Sequence, residues 1–252
     1  MTTTYFTSPE GRRLAYRASA PTHSPLTYVW LSGFKSDMSG TKVTELEAWA
    51  NEAGHGFLAF DYSGHGLSDG AFEDGTISAW REDALAAIDA HSTGPIVLVG
   101  SSMGGWMALL AALARPDRVA GLVLIAPAPD FTEKLMWPEF SAEAQSEIME
   151  QGFTQRPSDY DEPYTITRAL IEDGRTWQIL DAPIKLDIPV RILQGMQDAD
   201  VPWKHAERLV DTITSEDLVF TLIKDGDHRL SREQDIARLK TTCAEIATAT
   251  RP

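Results

Sequence analysis

The stretch that most constrains this chain is Pro95-Ile96-Val97-Leu98-Val99-Gly100-Ser101-Ser102-Met103-Gly104-Gly105-Trp106. A run of β-branched and aliphatic residues (96–99) breaks at Gly100-Ser101-Ser102-Met103-Gly104. An Ala/Leu-rich segment with helical spacing follows and ends near Arg115-Pro116. Strand, tight turn and helix in that order are the setting in which a G-x-S-x-G match has physical meaning. A serine at the tip of such a turn occupies a strained backbone conformation, with its hydroxyl pointing away from the sheet. Side chains two residues to either side would collide with strand and helix, so glycines are needed there. Gly100 and Gly104 meet that demand, and their spacing selects Ser102 rather than Ser101 as the candidate nucleophile. The helix that begins just after it aims free N–H groups and a partial positive charge at the reacting centre, which suits an oxyanion.

The remaining chain repeats the strand–helix rhythm. Two short extended runs, 5–7 and 12–18, flank Ser8-Pro9-Glu10-Gly11 and read as a hairpin. Buried-type strands are expected at 27–31, 56–61, 119–125, 188–194 and 217–224. Helices are expected at 41–52, 76–91, 204–213 and 231–247. Alternation of this kind, with several strands apolar throughout, predicts an α/β class protein with a mostly parallel twisted sheet of about eight strands and helices on both faces.

Residues 130–185 break the rhythm. They are rich in Glu, Trp, Phe, Tyr and Met, contain no convincing strand, and show short helical patterns at 133–134, 141–151 and 164–173. We expect a helical lid here, inserted into a core formed by residues 1–129 and 186–252. Trp137 and Phe140 from this segment, with Trp203 from the loop after the 188–194 strand, are the expected substrate-binding residues.

A serine hydroxyl needs a base to take and return its proton, and the base needs a partner to fix its tautomer. Of the six histidines, only His228 lies immediately beyond a final strand and after Ser102 in sequence. Asp198 follows the preceding strand and completes the order Ser, Asp, His expected of this turn motif. Asp200 and Asp227 are competitors for the acid. His65, between two glycines, reads as a structural turn residue, and His205 as a surface residue. The oxyanion donors are expected to be the N–H groups of Met103 and of Phe34, the latter in the loop after the Trp30 strand, where Gly33 permits close approach.

Composition narrows the alternatives. A net charge of −15 argues against nucleic acid and anionic membranes as partners. No apolar run approaches the ~20 residues that span a bilayer, and the first residues have the pattern of neither a signal nor a transit peptide. The single cysteine, Cys243, sits in a helical pattern and cannot form an internal disulfide, so a reducing, cytoplasmic setting is expected. No phosphate-binding glycine loop, H-E-x-x-H or C-x-x-C occurs, and neither a cofactor nor a metal is expected.

The chain resembles the α/β-hydrolase superfamily over nearly its whole length, on Gly100–Gly104, Asp61-Tyr62-Ser63-Gly64-His65-Gly66-Leu67-Ser68, the loop 195–202 and Gly226-Asp227-His228. Within it, the chain is similar to the animal mitochondrial acyl-glucuronide esterases, also described as palmitoyl-protein thioesterases. The carrying stretches are Ser39-Gly40-Thr41-Lys42, Val99-Gly100-Ser101-Ser102-Met103-Gly104-Gly105-Trp106, Gly195-Met196-Gln197-Asp198, Val201-Pro202-Trp203 and Asp227-His228-Arg229. The resemblance implies the α/β-hydrolase fold, a Ser102–His228–Asp198 triad and a bacterial-type relative of that family. The expected reaction is hydrolysis of a small-molecule carboxylic ester, with thioester cleavage as the alternative. Haloperoxidase, lyase or C–C hydrolase chemistry on the same fold, or a non-catalytic binding role, are more distant alternatives. Oligomeric state has no signature in the sequence.

Overall fold

The computed structural model describes residues 2–156 and 164–250. Its centre is a sheet of eight strands: β1 (Thr4–Thr7), β2 (Arg13–Ser19), β3 (Thr27–Leu31), β4 (Gly56–Phe60), β5 (Ile96–Ser101), β6 (Val119–Ile125), β9 (Val190–Gly195) and β10 (Leu218–Ile223). They are ordered β1-β2-β4-β3-β5-β6-β9-β10. The pairs β1/β2 and β2/β4 are antiparallel, and every other pair is parallel. The expected α/β-hydrolase architecture, with its mostly parallel eight-stranded sheet, is therefore the one observed.

Strand alternation divides the core into two layers. Val29 and Leu31 of β3 face one side with α2 (Ile77–His91) and α3 (Met103–Ala114). Tyr28 and Trp30 face the other, with α1 (Thr41–Glu52) and α7 (Glu233–Ala249). All five residues of β3 and of β4 are buried, as are the first ten of α3. Strands covered on both faces have no polar side, which is why these segments read as continuous apolar runs.

The segment between β6 and β9 differs from its expectation. A π-helical turn (Thr132–Met136) and a 3₁₀ turn (Trp137–Glu139) lead into α4 (Ala142–Gln151), whose N-cap Ser141 accepts from the Ala144 N–H. A two-stranded antiparallel hairpin follows, β7 (Phe153–Arg156) with β8 (Tyr164–Thr167), where no strand was expected. The helix expected at 164–173 is confined to α5 (Arg168–Thr176), because Tyr164–Thr167 pairs with β7 and Thr167 caps α5 through its side chain. Phe153-Thr154-Gln155-Arg156 and Tyr164-Thr165-Ile166-Thr167 are short and mostly polar, so an apolar-run criterion passes over them. α6 (Trp203–Thr212) lies between β9 and β10.

Candidate active site

Ser102 stands between β5 and α3 with φ 56° and ψ −120°, the strained backbone foreseen for the tip of the turn. Three backbone hydrogen bonds hold it: its N–H donates to the Ile125 carbonyl at 2.9 Å, and its carbonyl accepts from Gly105 and Ala128 at 2.8 and 3.1 Å. The packing accounts for the glycines. A Cβ on Gly100 would run into the carbonyl of Gly104, and one on Gly104 into that of Leu31. At this approach strand and helix leave no room for any side chain.

The loops after β9 and β10 meet beside Ser102. Backbone contact is so close there that a Cβ on Gly195 would overlap the Gly226 carbonyl, and the Gln197 N–H donates to that same carbonyl at 2.9 Å. This brings Asp198 to His228, with Asp198 Oδ2 2.8 Å from His228 Nδ1. His228 Nε2 lies 3.1 Å from Ser102 Oγ. The Asp198 side chain is fully buried, whereas that of His228 remains 25% exposed. Buried carboxylates need donors, and Asp198 has them. Its Oδ1 accepts from the N–H groups of Asp200 and Val201 at 3.0 and 2.8 Å, and its Oδ2 from Gln194 Nε2 at 3.0 Å.

The competing acids go elsewhere. Asp227 Oδ1 accepts from the Leu230 N–H at 2.9 Å within its own loop. Asp200 is exposed on the cavity wall. It brings a donor atom within 4.8 Å of Asp198 and His228. Both ring nitrogens of His228 are already engaged, Nδ1 with Asp198 and Nε2 with Ser102.

Phe34 and Met103 line the same cavity as Ser102. Met103 is the first residue of α3, and a Cβ on the neighbouring Gly33 would come within 3.3 Å of Ser102 Cβ. The N–H of Phe34 takes no part in the surrounding loop hydrogen bonds, where Ser36 N–H donates to Gly33 O.

A cavity of about 710 Å³ opens over Ser102 and His228. Its apolar wall is formed by Phe34, Phe131, Leu135, Met136, Tyr164 and Ile166, and Asp37, Lys42 and Arg229 are among its polar residues. Trp137, Phe140 and Trp203 are not on this wall. Trp137 and Phe140 pack half-buried against the core and edge-to-face against each other at 6.3 Å. The Lys204 ammonium lies 4.0 Å over the Trp203 ring. His205 corrects its expectation too: it is buried, with Nε2 2.7 Å from the Pro129 carbonyl. His65 is buried as well, consistent with a structural residue.

Two further residues of the site were not foreseen. Gln194 is a fully buried polar side chain at the end of a mostly apolar strand, and that oddity was its signal. Lys42 donates from Nζ to the Arg229 carbonyl and, at 3.4 Å, to Ser231 Oγ, tying α1 to the loop of His228. Burial brings the Lys42 ammonium down to about 8.

Similarity to known proteins follows the same lines. Palmitoyl-protein thioesterase ABHD10, mitochondrial, of Bos taurus is 38% identical over 220 residues, covering 86% of this chain and 72% of its own. A crystal structure from Agrobacterium vitis S4 superposes with a TM-score of 0.94 at 44% identity, covering 98% of both chains. Alpha/beta hydrolase domain-containing protein 10 from mouse superposes with a TM-score of 0.89 at 34% identity, covering 98% of this chain and 99% of its own. The model of the alpha/beta hydrolase family matches residues 24–239, and this chain belongs to that family.

Proposed function

We propose that the chain is a serine hydrolase of carboxylic esters, with Ser102 as nucleophile, His228 as general base and acid, and Asp198 as the partner that orients and charges-compensates the imidazole. The observation that carries this reading is the continuous relay from Ser102 Oγ through His228 to Asp198, at 3.1 and 2.8 Å. Ser102 Oγ attacks the acyl carbon while its proton passes to His228 Nε2. The carbonyl oxygen becomes an oxyanion facing the N–H groups of Phe34 and Met103. Collapse of that intermediate expels the alcohol, which takes the proton from His228, and leaves the acyl group on Ser102. Water, deprotonated by His228, then releases the acid.

Residues 130–185 act in this reading as a lid. They supply Phe131, Leu135, Met136, Tyr164 and Ile166 to the cavity wall, which favours an apolar acyl group. The name of the bovine relative, palmitoyl-protein thioesterase, supports thioester cleavage as the second reading. The mechanism is the same, with a thiol as leaving group. No helix of the described residues is long and apolar enough to cross a membrane. A cytoplasmic setting remains our proposal, checked by subcellular fractionation of the source cells, since the bovine relative is designated mitochondrial.

The test is labelling with a fluorophosphonate probe, followed by peptide mapping, with p-nitrophenyl esters and acyl thioesters of graded chain length in parallel. The expected adduct is on Ser102, and Ser102→Ala loses on the order of 10⁵-fold or more in kcat while keeping its fold. Comparable turnover by a folded Ser102→Ala protein sinks the assignment.

A further inference from the structure

His65 takes no part in the relay, yet its surroundings are built with care. It lies in the loop after β4, flanked by Gly64 (φ 72°) and Gly66 (φ 49°), left-handed positions that turn the ring inward. The ring is 4% exposed and stands edge-on to Tyr62, Phe72 and Trp80, with centroids 5.6, 5.2 and 5.2 Å away. Its Nε2 accepts the backbone N–H of Lys35 at 3.2 Å, and its Nδ1 lies 3.2 Å from the Ser63 carbonyl. A backbone N–H can only donate and a carbonyl only accept, so the partners fix the tautomer with the proton on Nδ1. Burial supports that state by pushing the imidazolium down to about 4.

The residue held by this bond is itself strained. Lys35 has φ 54°, a left-handed conformation for a residue with a Cβ, which persists only where neighbours impose it. It immediately follows Phe34. The Phe34 ring stands edge-on to two of the rings that box His65, Phe72 at 4.9 Å and Trp80 at 5.9 Å. Further along the loop, Asp61 accepts the Met38 N–H at 2.7 Å and reaches the Leu67 N–H at 2.9 Å. The loop after β3 is thus gripped at successive points by the loop after β4.

We propose that His65 is a positioning residue for the oxyanion hole: by accepting the Lys35 N–H it fixes the Phe34–Lys35 peptide, and through it the adjoining Gly33–Phe34 peptide, which presents the Phe34 N–H to the oxygen of the reacting carbonyl. This rests on the reading of Phe34 and Met103 as the oxyanion donors. His65 does not meet the substrate itself. It is absent from the cavity wall, and both its ring nitrogens are engaged in the protein.

The experiment compares His65→Phe, which keeps a ring and removes the acceptor, with His65→Gln, which restores one. A trifluoromethyl ketone, whose Ser102 adduct carries an oxyanion, serves as probe of the hole. Positioning predicts that His65→Phe lowers kcat by about 10- to 100-fold, leaves KM within about twofold and weakens trifluoromethyl ketone binding in parallel, with most of the loss recovered in His65→Gln. Unchanged kcat, or a loss in which the ketone binds as before, overturns the proposal. If the Phe variant does not fold, the near-isosteric pair His65→Met and His65→Gln carries the same comparison, and equal kcat values refute it. Phenyllactate at position 34, which replaces only the Phe34 N–H by an ester oxygen, tests the underlying reading separately. Loss there without loss in the folded His65 variants leaves the oxyanion reading standing and removes the role of His65. No loss in kcat or in ketone binding removes Phe34 from the hole and the proposal with it.

Discussion

The turn that carries Ser102 and the segment between β6 and β9 both border the cavity, and they are held by different forces. Around Ser102, backbone lies against backbone and the first ten residues of α3 are buried. The segment opposite has an apolar base in Ile148, Ile166, Leu170 and Ile171. Much of its remaining cohesion, within the segment and to α2, is polar. Lys134–Asp181 at 2.6 Å, Arg175–Glu133 at 2.7 Å and Arg156–Glu139 at 2.7 Å are partly exposed ion pairs, and Asp173 Oδ2 accepts the Ser78 N–H at 2.7 Å. Close packing tolerates almost no displacement, whereas half-solvated ion pairs can exchange partners for water at small cost. In the proposed reading, position is enforced where a bond must be broken, and adaptability is kept where substrates must be accommodated.

Gly104→Ala probes the rigid side most directly. The new methyl would meet the Leu31 carbonyl, so a loss of about 3 kcal/mol or more in stability is expected from urea denaturation. A mild effect would mean that the turn is more compliant than its packing. Acid probes the same side through His65, whose folded value of about 4 lies below the 6.5 of the free side chain. Burial dominates that depression; the Lys35 ammonium adds to it, while the Ser63 carbonyl and Asp37 oppose it. Above pH 6.5 both folded and unfolded chains keep this imidazole neutral. Between 6.5 and 4 the unfolded chain binds a proton that the folded one refuses, so stability falls with falling pH. The loss approaches about 3 kcal/mol and then levels off. Urea midpoints at pH 7 and 5 should therefore drop more for wild type than for His65→Gln, and equal drops would contradict the assignment.

On the adaptable side, Gly152 ends α4 at φ 94° with no atom within 4 Å of an added Cβ. Gly152→Ala incurs only the left-handed backbone cost, about 1 kcal/mol, and its contrast with Gly104→Ala is the sharpest form of the comparison. Glu139→Gln, which weakens the pair with Arg156, should change stability by less than about 1 kcal/mol. Both residues line the cavity, so the chain-length profile for p-nitrophenyl esters should move more visibly than the melting temperature. A large loss of stability with an unaltered profile would invert the roles of the two regions.

The same division governs what could be read from the sequence. β3 and β6 fall where their apolar runs put them, and the Ser102 turn is legible because its glycines answer a backbone requirement. The juxtaposition of Ser102, His228 and Asp198 follows from where those residues stand relative to strand ends. The cavity wall does not follow in this way. Within one-turn helices such as Thr132–Met136 and Trp137–Glu139 there is too little periodicity to say which side chains face inward, and Leu135 and Met136 line the wall where Trp137 was expected. For His205 a signal existed: it stands four residues before Leu209 on the buried stripe of α6. The grip of His65 on Lys35 joins residues of two different loops, and no local pattern encodes it.

Strands β6 and β9 are hydrogen-bonded neighbours although residues 126–189 intervene. Closing a loop carries an entropy that grows only with the logarithm of its length, so doubling such a connection costs only about 0.6 kcal/mol. The seam between these strands is therefore a place where segments of very different size can be exchanged during evolution without unseating Ser102. Pairing across so long a separation raises the contact order of the sheet, which slows folding. A newly made chain would meet its full sheet only after residues 126–189 have emerged.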